Sequence, residues 1–267
     1  MLEQYFSESI QLGIAQAAIT AVLVLIVVMI ARWQQIHLEK ETLISLLRGL
    51  IQIVAVGSVL LLVFQGPVWV GALILTGMVF AAGLTAARRA NGIPKSFLAS
   101  LYGIAFGAGL VILVMTLVGV IDPALTSLIP VGSMLIANAM NSTALALDRF
   151  RNDVMAHSGE IEAGLALGAD PRVIVTPYAQ SAVHASMIPR IDSIRSLGIV
   201  WIPGLMTGMI LAGADPVYAA IYQFVIMGMI YAVSGLSSVA SILWIRPYIF
   251  TEAEQLLLRP GIKESAR

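Results

Sequence analysis

The sequence predicts an all-α, polytopic membrane helix bundle of about seven transmembrane helices, with its N-terminus outside and its C-terminus in the cytoplasm. Three observations predict it. The 267 residues are 59% hydrophobic and only 11% charged, whereas about a quarter of a soluble domain is charged. Lipid must therefore take up the apolar surplus. The apolar residues also fall in separate runs of about 20, the length that covers about 30 Å of hydrocarbon at 1.5 Å per residue. Finally, all 15 basic residues fall on one side of the resulting alternation. A formal net charge of zero gives no reason to expect a nucleic-acid partner, and the absence of cysteine excludes disulfides, thiolate metal sites and cysteine nucleophiles.

The spans read, in order, as residues 10–31, 43–64, 67–87, 96–120, 124–147, 198–214 and 216–245. The first ten residues carry Glu3 and Glu8 and no base, unlike the positive n-region of a secretory signal, so the first span reads as a retained helix. The sixth is short and contains Pro203; the seventh is longer than the bilayer requires and should tilt. With seven spans, Glu3, Glu8, Asp122 and Asp215 lie on one side without any Lys or Arg. Arg32, Lys40, Arg48, Arg88, Arg89, Lys95, Arg149, Arg151, Arg172, Arg190, Arg195, Arg246, Arg259, Lys263 and Arg267 lie on the other. The excess of positive charge marks that second side as cytoplasmic.

The chain reads as one transmembrane domain, residues 1–267, with a cytoplasmic insertion at about 148–197. This long polar segment calls for its own structure and task. Its first part, roughly residues 149–168, reads as a helix. Gly168 suits the C′ position that ends a helix, Asp170 can cap the next one, and Pro171 can be its first residue. The result is a helix, a tight turn and a helix. The same Gly-Ala-Asp-Pro tetrapeptide recurs at Gly213 to Pro216, so the tetrapeptide alone signifies a turn. In the second part Val183, Met187, Ile191 and Ile194 share a helical stripe interrupted by Pro189. That pattern fits an interfacial helix lying under the membrane, either with a task of its own or simply as a stabilising element.

No ionisable residue falls deep inside the seven predicted cores; Arg48 and Asp148 sit at margins, where snorkelling hydrates them. This counts against an internal proton relay and leaves sodium coupling through backbone oxygens open. The chain also lacks a G-x-x-x-x-G-K-[ST] phosphate loop. A transporter of this composition would draw its energy from a separate cytoplasmic subunit.

Glu162-Ala163 followed by Leu167-Gly168-Ala169 resembles the coupling loop of ATP-binding-cassette (ABC) permeases. Three blocks resemble, more narrowly, the FetB-like family of bacterial permeases, relatives of the plant aluminium-tolerance permeases. They are Asn138-Ala139-Met140-Asn141-Ser142-Thr143 with the residues up to Phe150, then Glu160 to Ala169, then Ile188 to Ser193 through Pro203-Gly204-Leu205-Met206-Thr207-Gly208-Met209 to Gly213. The resemblance implies a non-enzymatic transport subunit of a bacterial inner membrane that works as a homodimer with separate ABC-type ATPase subunits. ATP and magnesium would be bound by those partners and no cofactor by this chain. Iron export and resistance to oxidative stress are the implied role; another metal, a nucleotide-sugar, a secondary carrier or a seven-helix scaffold are the alternatives. Glu160, Glu162, Ala163, Leu167, Gly168 and Ala169 would couple to the ATPase. Gly164 departs from the pattern, where Ala is commoner, at about 1 kcal/mol of helix propensity.

The remaining candidates each carry two readings. Asn138, Asn141, Ser142 and Thr143 form a polar cluster that either bonds neighbouring helices or lines a pathway. Gly204 and Gly208 make a small-xxx-small face for close packing, within the subunit or across a dimer, and Pro203 could free a carbonyl toward a pathway. Thr207 lies between them. Met206 and Met209, like Met227 and Met229, offer thioethers that suit copper(I) better than iron and more often simply fill a core. Arg48 and Gln52, one turn apart, either anchor the second span or line an entrance. His37, His157 and His184 are widely separated, so none is read as a metal ligand and any metal site stays unknown.

Overall fold

The structure, a computed structural model, describes residues 9–37, 39–90 and 92–258. Glu3, Glu8, Arg259, Lys263 and Arg267 lie outside the described residues. The described chain is a helical membrane bundle that divides into two compact units at Gln65 and Gly66.

The first unit holds α1 (Ser9–Trp33) and α2 (Glu39–Phe64). Glu39 and Glu41 in the first turn of α2 complement the positive end of its dipole. Arg32 Nε lies 3.7 Å from Glu39 Oε1 across the connection; Arg32 is mostly exposed, so the pair contributes little. Almost every apolar side chain of both helices is exposed, as lipid-facing surfaces are.

The second unit holds α3 (Val68–Ala87), a 3-10 turn (Arg88–Ala90), α4 (Ser96–Leu117) and α5 (Leu125–Ala156). Then follow α6 (Ser158–Ala166), α7 (Pro171–Ile174), α8 (Thr176–Ser196), α9 (Gly204–Leu211), α10 (Pro216–Ile245) and a 3-10 turn (Arg246–Ile249). Its centre is the crossing of α4 and α10. Gly103 and Gly107 lie directly on Ser241 and Ser237: a Cβ on Gly107 would sit 2.7 Å from the Ser237 backbone nitrogen, and one on Gly103 2.8 Å from the Ser237 carbonyl oxygen. Small residues bring the two backbones together, which is how helices gain packing energy where lipid removes the hydrophobic drive. Around this crossing, Ile104, Leu135, Ile136, Ile226 and Met229 form one core. A second core, of Leu147, Phe150, Val154, Ile161, Ile245 and Ile249, lies toward the charged end.

Among the described residues six helices are long and apolar enough to cross a membrane: α1 to α5 and α10. The expected crossing at residues 198–214 is different. Leu197 and Trp201 form a local bridge, Gly198 takes φ +75°, and only the eight residues of α9 are helical, about 12 Å of rise and too little to span. Its Gly and Pro residues leave the window apolar but interrupt the helix.

The helix expected to lie under the membrane also differs. Helix α8 runs lengthwise and antiparallel along α10: Thr176 meets Arg246, Ser186 meets Ser238, and Met187 packs toward Gly235. Its buried Ala179, Ala182 and Ser186 recur every three to four residues and form a close-packing face against α5 and α10. The stripe of larger residues misled the reading. As a consequence, Arg190, Asp192 and Arg195 travel with α8 beside the spans rather than in a cytoplasmic insertion. Arg190 lies roughly 18 Å along the bundle from Arg246, by helix rise. The expected continuous helix at residues 149–168 breaks at His157, where α5 ends and α6 begins.

Candidate functional site

Two features of the second unit carry functional potential: an elbow at the charged end and a polar seam within the bundle. The elbow is built by local rules. At the end of α6 the N–H of Ala169 donates to Gly164 O (3.0 Å) and that of Gly168 to Leu165 O (2.9 Å), with Gly168 at φ +86°. This is the Schellman arrangement, and it needs glycine at the left-handed position. Asp170 Oδ1 then accepts the backbone N–H of Arg172 at 2.7 Å, capping α7, with Pro171 as first residue. The second Gly-Ala-Asp-Pro copy folds the same way: Ala214 donates to Met209 O at 3.0 Å, and Asp215 accepts from Val217 and Tyr218 at 2.9 Å. The repeated tetrapeptide is one hinge used twice.

Packing then fixes the elbow. Ile161 and Val175 are fully buried in the second core. Gly164 is where α7 docks: a Cβ there would overlap the end of the Ile174 side chain, which accounts for the departure from alanine. Tyr178 stacks on His157 (ring centroids 5.0 Å) and its hydroxyl donates to Glu160 Oε2 at 3.5 Å. Burial first, and then the charge of Glu160, raise the Tyr178 pKa above its ordinary value of 10.0, so the phenol remains a donor at neutral pH. Ser181 donates to Asp153 at 3.2 Å, tying α8 to α5.

A strap at residues 250–258 completes the brace. Phe250 pairs with Leu256, Thr251 N–H donates to Gln255 O at 2.9 Å, and Leu256 and Leu258 are buried in the same core as Ile161. A cavity of about 380 Å³ separates the strap residues Ala253 to Leu256 from Glu162 and Leu165 of α6. Leu256→Asp places a carboxylate in this core, at a cost of a few kcal/mol or more. Hydrogen exchange should show α6 amides losing protection while α4 keeps its own; equal protection in both would mean the strap braces nothing.

Leu167 is 89% exposed at the tip of the elbow and Val173 is 66% exposed beside it. Of the residues expected to couple, Glu160, Ala163, Leu167, Gly168 and Ala169 are exposed around this tip, and Glu162 is half-buried toward the strap.

The polar seam runs between α5, α8 and α10. Ser142 and Thr143 are buried, and Arg190 Nε donates to Ser142 Oγ at 3.4 Å. Ser186 Oγ bridges Val183 O (2.7 Å) and Ser238 Oγ (3.2 Å). Ser234, Ser237, Ser238 and Ser241 of α10 are all fully buried. The sequence reading missed these serines and the Gly103-Gly107 pair opposite them; their signal was small polar residues at spacings of three and four in the last span. Asn138 instead bonds its own helix through Met134 O at 2.8 Å, and Asn141 is exposed.

The other expected residues are not gathered here. Arg48 and Gln52 are exposed on α2 of the first unit. Pro203 is buried as the cap of α9, and its carbonyl accepts from Thr207 N (3.2 Å) and Oγ1 (3.3 Å) rather than standing free. Gly204 and Gly208 face open space, and Met206 and Met209 are half-buried on the same helix. Met227 and Met229 are core residues. Among the described residues no group of three His, Asp or Glu stands close enough to hold a metal.

These features define a polytopic helical membrane protein. The chain belongs to the family described as "Uncharacterised protein family (UPF0014)", whose model matches residues 14–250. It is 32% identical over 246 residues to "Protein ALUMINUM SENSITIVE 3" of Arabidopsis thaliana, covering 91% of this chain and 90% of the relative. It is 32% identical over 223 residues to the "Probable iron export permease protein FetB" of Escherichia coli (strain K12), covering 83% and 86%. It is also 32% identical over 241 residues to the "UPF0014 membrane protein YjkA" of Bacillus subtilis (strain 168), covering 90% and 96%. The resemblance to FetB-like permeases read from residues 138–213 is therefore borne out across most of the chain. No solved structure matches it.

Proposed function

We propose that the chain is the membrane subunit of an ATP-driven transporter, working as a homodimer with separate ABC-type ATPases that bind ATP and magnesium. The observation that carries this reading is the braced elbow. A tight turn between two helices, fixed by Ile161, Ile174 and the strap, presents an 89% exposed leucine. An apolar knob on a rigid mount is what a motor subunit needs if its motion is to be transmitted rather than absorbed.

The cargo proposed is iron, exported from the cytoplasm, because the Escherichia coli relative is named as a probable iron export permease. A bacterial inner-membrane location and a role in resistance to oxidative stress accompany that reading. The topology proposed is seven crossings with the N-terminus outside: α8 enters from the cytoplasmic side and α9 completes the crossing beyond a break at residues 197–203. Broken helices of this kind line pathways in transporters. The open face of Gly204 and Gly208 is available for the second copy.

The test co-expresses the full chain with a candidate ABC-type ATPase subunit from the same organism. Wild type should retain the ATPase through purification and load iron into inverted vesicles on ATP. Leu167→Glu should lower ATPase retention at least tenfold while the permease itself stays folded by thermal melting. Undiminished ATP-driven iron transport in that variant would refute the coupling role; transport of a different cargo would refute iron alone.

A further inference from the structure

We propose that a groove between α8 and α10 binds one anionic phospholipid of the cytoplasmic leaflet, headgroup on Arg172 and Arg246 and one acyl chain between the helices. The proposal rests on the membrane placement given above and is independent of any ATPase.

Two adjoining cavities make the groove. One, of about 440 Å³, is walled by Arg172, Arg246, Trp244 and Tyr248. The other, of about 420 Å³, lies between Ala179 and Val183 of α8 and Val239 and Ile242 of α10. Leu243 and Arg246 border both. Each lies within the range of about 300–1,000 Å³ typical of small-molecule sites. One half is basic and the other apolar, which is the polarity of a phospholipid and not that of a free phosphate.

The charge at the basic end is uncompensated. Arg246 Nη2 donates to the Arg172 carbonyl oxygen (2.6 Å) and to Thr176 Oγ1 (2.5 Å), both neutral. Arg246 Nε is buried without a partner. Among the described residues the ion pairs are Arg32–Glu39, Arg149–Asp153 and Arg195–Asp192, so neither groove arginine is neutralised by a carboxylate. The acid nearest in sequence, Asp170, spends Oδ1 on the Arg172 backbone N–H. A third cation stands on the same rim, Lys95 Nζ lying 4.3 Å from the Tyr248 ring centroid. Two guanidinium groups and an ammonium without counterions make an anion site.

The height is that of the membrane interface. Lys95 caps the start of α4, and Arg88 and Arg89 follow directly on the apolar α3. Tyr102, Trp244 and Tyr248 form a continuous aromatic row, with centroids 5.8 Å and 4.7 Å apart, as in the aromatic belt at headgroup level. Below it, Val239 and Leu243 are 42% and 58% exposed, so the apolar half opens sideways onto lipid. A soluble anion would leave that half empty.

The experiment reconstitutes the full chain in nanodiscs of phosphatidylcholine with a minor fraction of brominated phosphatidylglycerol, and measures quenching of Trp fluorescence. Brominated phosphatidylglycerol should quench the Trp244 component at least tenfold more effectively than brominated phosphatidylcholine at equal fraction. Trp244→Phe assigns the component. Arg172→Gln, a change at an exposed side chain, should remove most of the preference, and Val183→Phe should remove it by filling the apolar half. Native mass spectrometry of wild type should show one retained phosphatidylglycerol per chain. Equal quenching by the two lipids overturns the proposal without needing any variant. So does displacement of phosphatidylglycerol by millimolar inorganic phosphate, which would make this a site for a soluble anion. Loss of quenching on dimerisation, with no lipid retained, would give the groove to a second copy instead.

Discussion

Gly107→Val should destabilise the protein by about 3 kcal/mol or more, the upper end of what overpacking costs. The glycine lies on the backbone of α10, with the Ser237 nitrogen 2.7 Å and the Ser237 Cα 3.0 Å from where a Cβ would stand. No rotamer change relieves contact with a backbone, so α4 and α10 must separate. Their separation opens the core built on Ile104 and Ile226. Gly109→Val is the control, because the same helix meets nothing within 4 Å there. Melting in detergent should show a large loss for the first variant and little for the second; matching melts would mean that the crossing does not hold the bundle together.

Gly168→Val should leave the bundle intact and remove transport. At φ +86°, an L-residue in the left-handed region costs about 1–2 kcal/mol, and a β-branched one is the worst case. That strain falls on a turn whose two hydrogen bonds, from Gly168 and Ala169 back to Leu165 and Gly164, close the end of α6, so the elbow opens rather than the core. ATPase retention and vesicle transport should fall at least tenfold, with an unchanged melting curve. Gly168→Asn should recover most of the loss, since asparagine tolerates this conformation. If valine transports as well as glycine, the shape of the elbow is irrelevant to function.

The elbow was legible because every rule that forms it is local. Gly168, Asp170 and Pro171 specify a helix stop, a cap and a helix start without reference to the rest of the chain, and the structure places each in that role. The spans at residues 67–87, 96–120 and 216–245 were legible because lipid selects for hydropathy and length. Where the two criteria part, the reading failed. Hydropathy marks the edge of the hydrocarbon, whereas α5 continues past Asp148 and Arg149 to Ala156 because Phe150 and Val154 are buried in the second core and hold the helix beyond it. Helix α8 is polar in composition yet packs along the bundle, its Ala179, Ala182 and Ser186 face being decided by neighbours. The serine row of α10 hid for a related reason: a serine lowers an apolar window only slightly, and its purpose shows only when Gly103 and Gly107 arrive against it. Gly164 looked like a defect until Ile174 was seen to need the space.

The strap sets an order of events during synthesis. Leu256 and Leu258 belong to the same core as Ile161, and they leave the ribosome long after α6 has been made. Chains grow at about 5–20 residues per second, so the elbow waits several seconds for its last wall. A nascent chain thus offers an unfinished mount, and a chain broken before the strap offers it permanently.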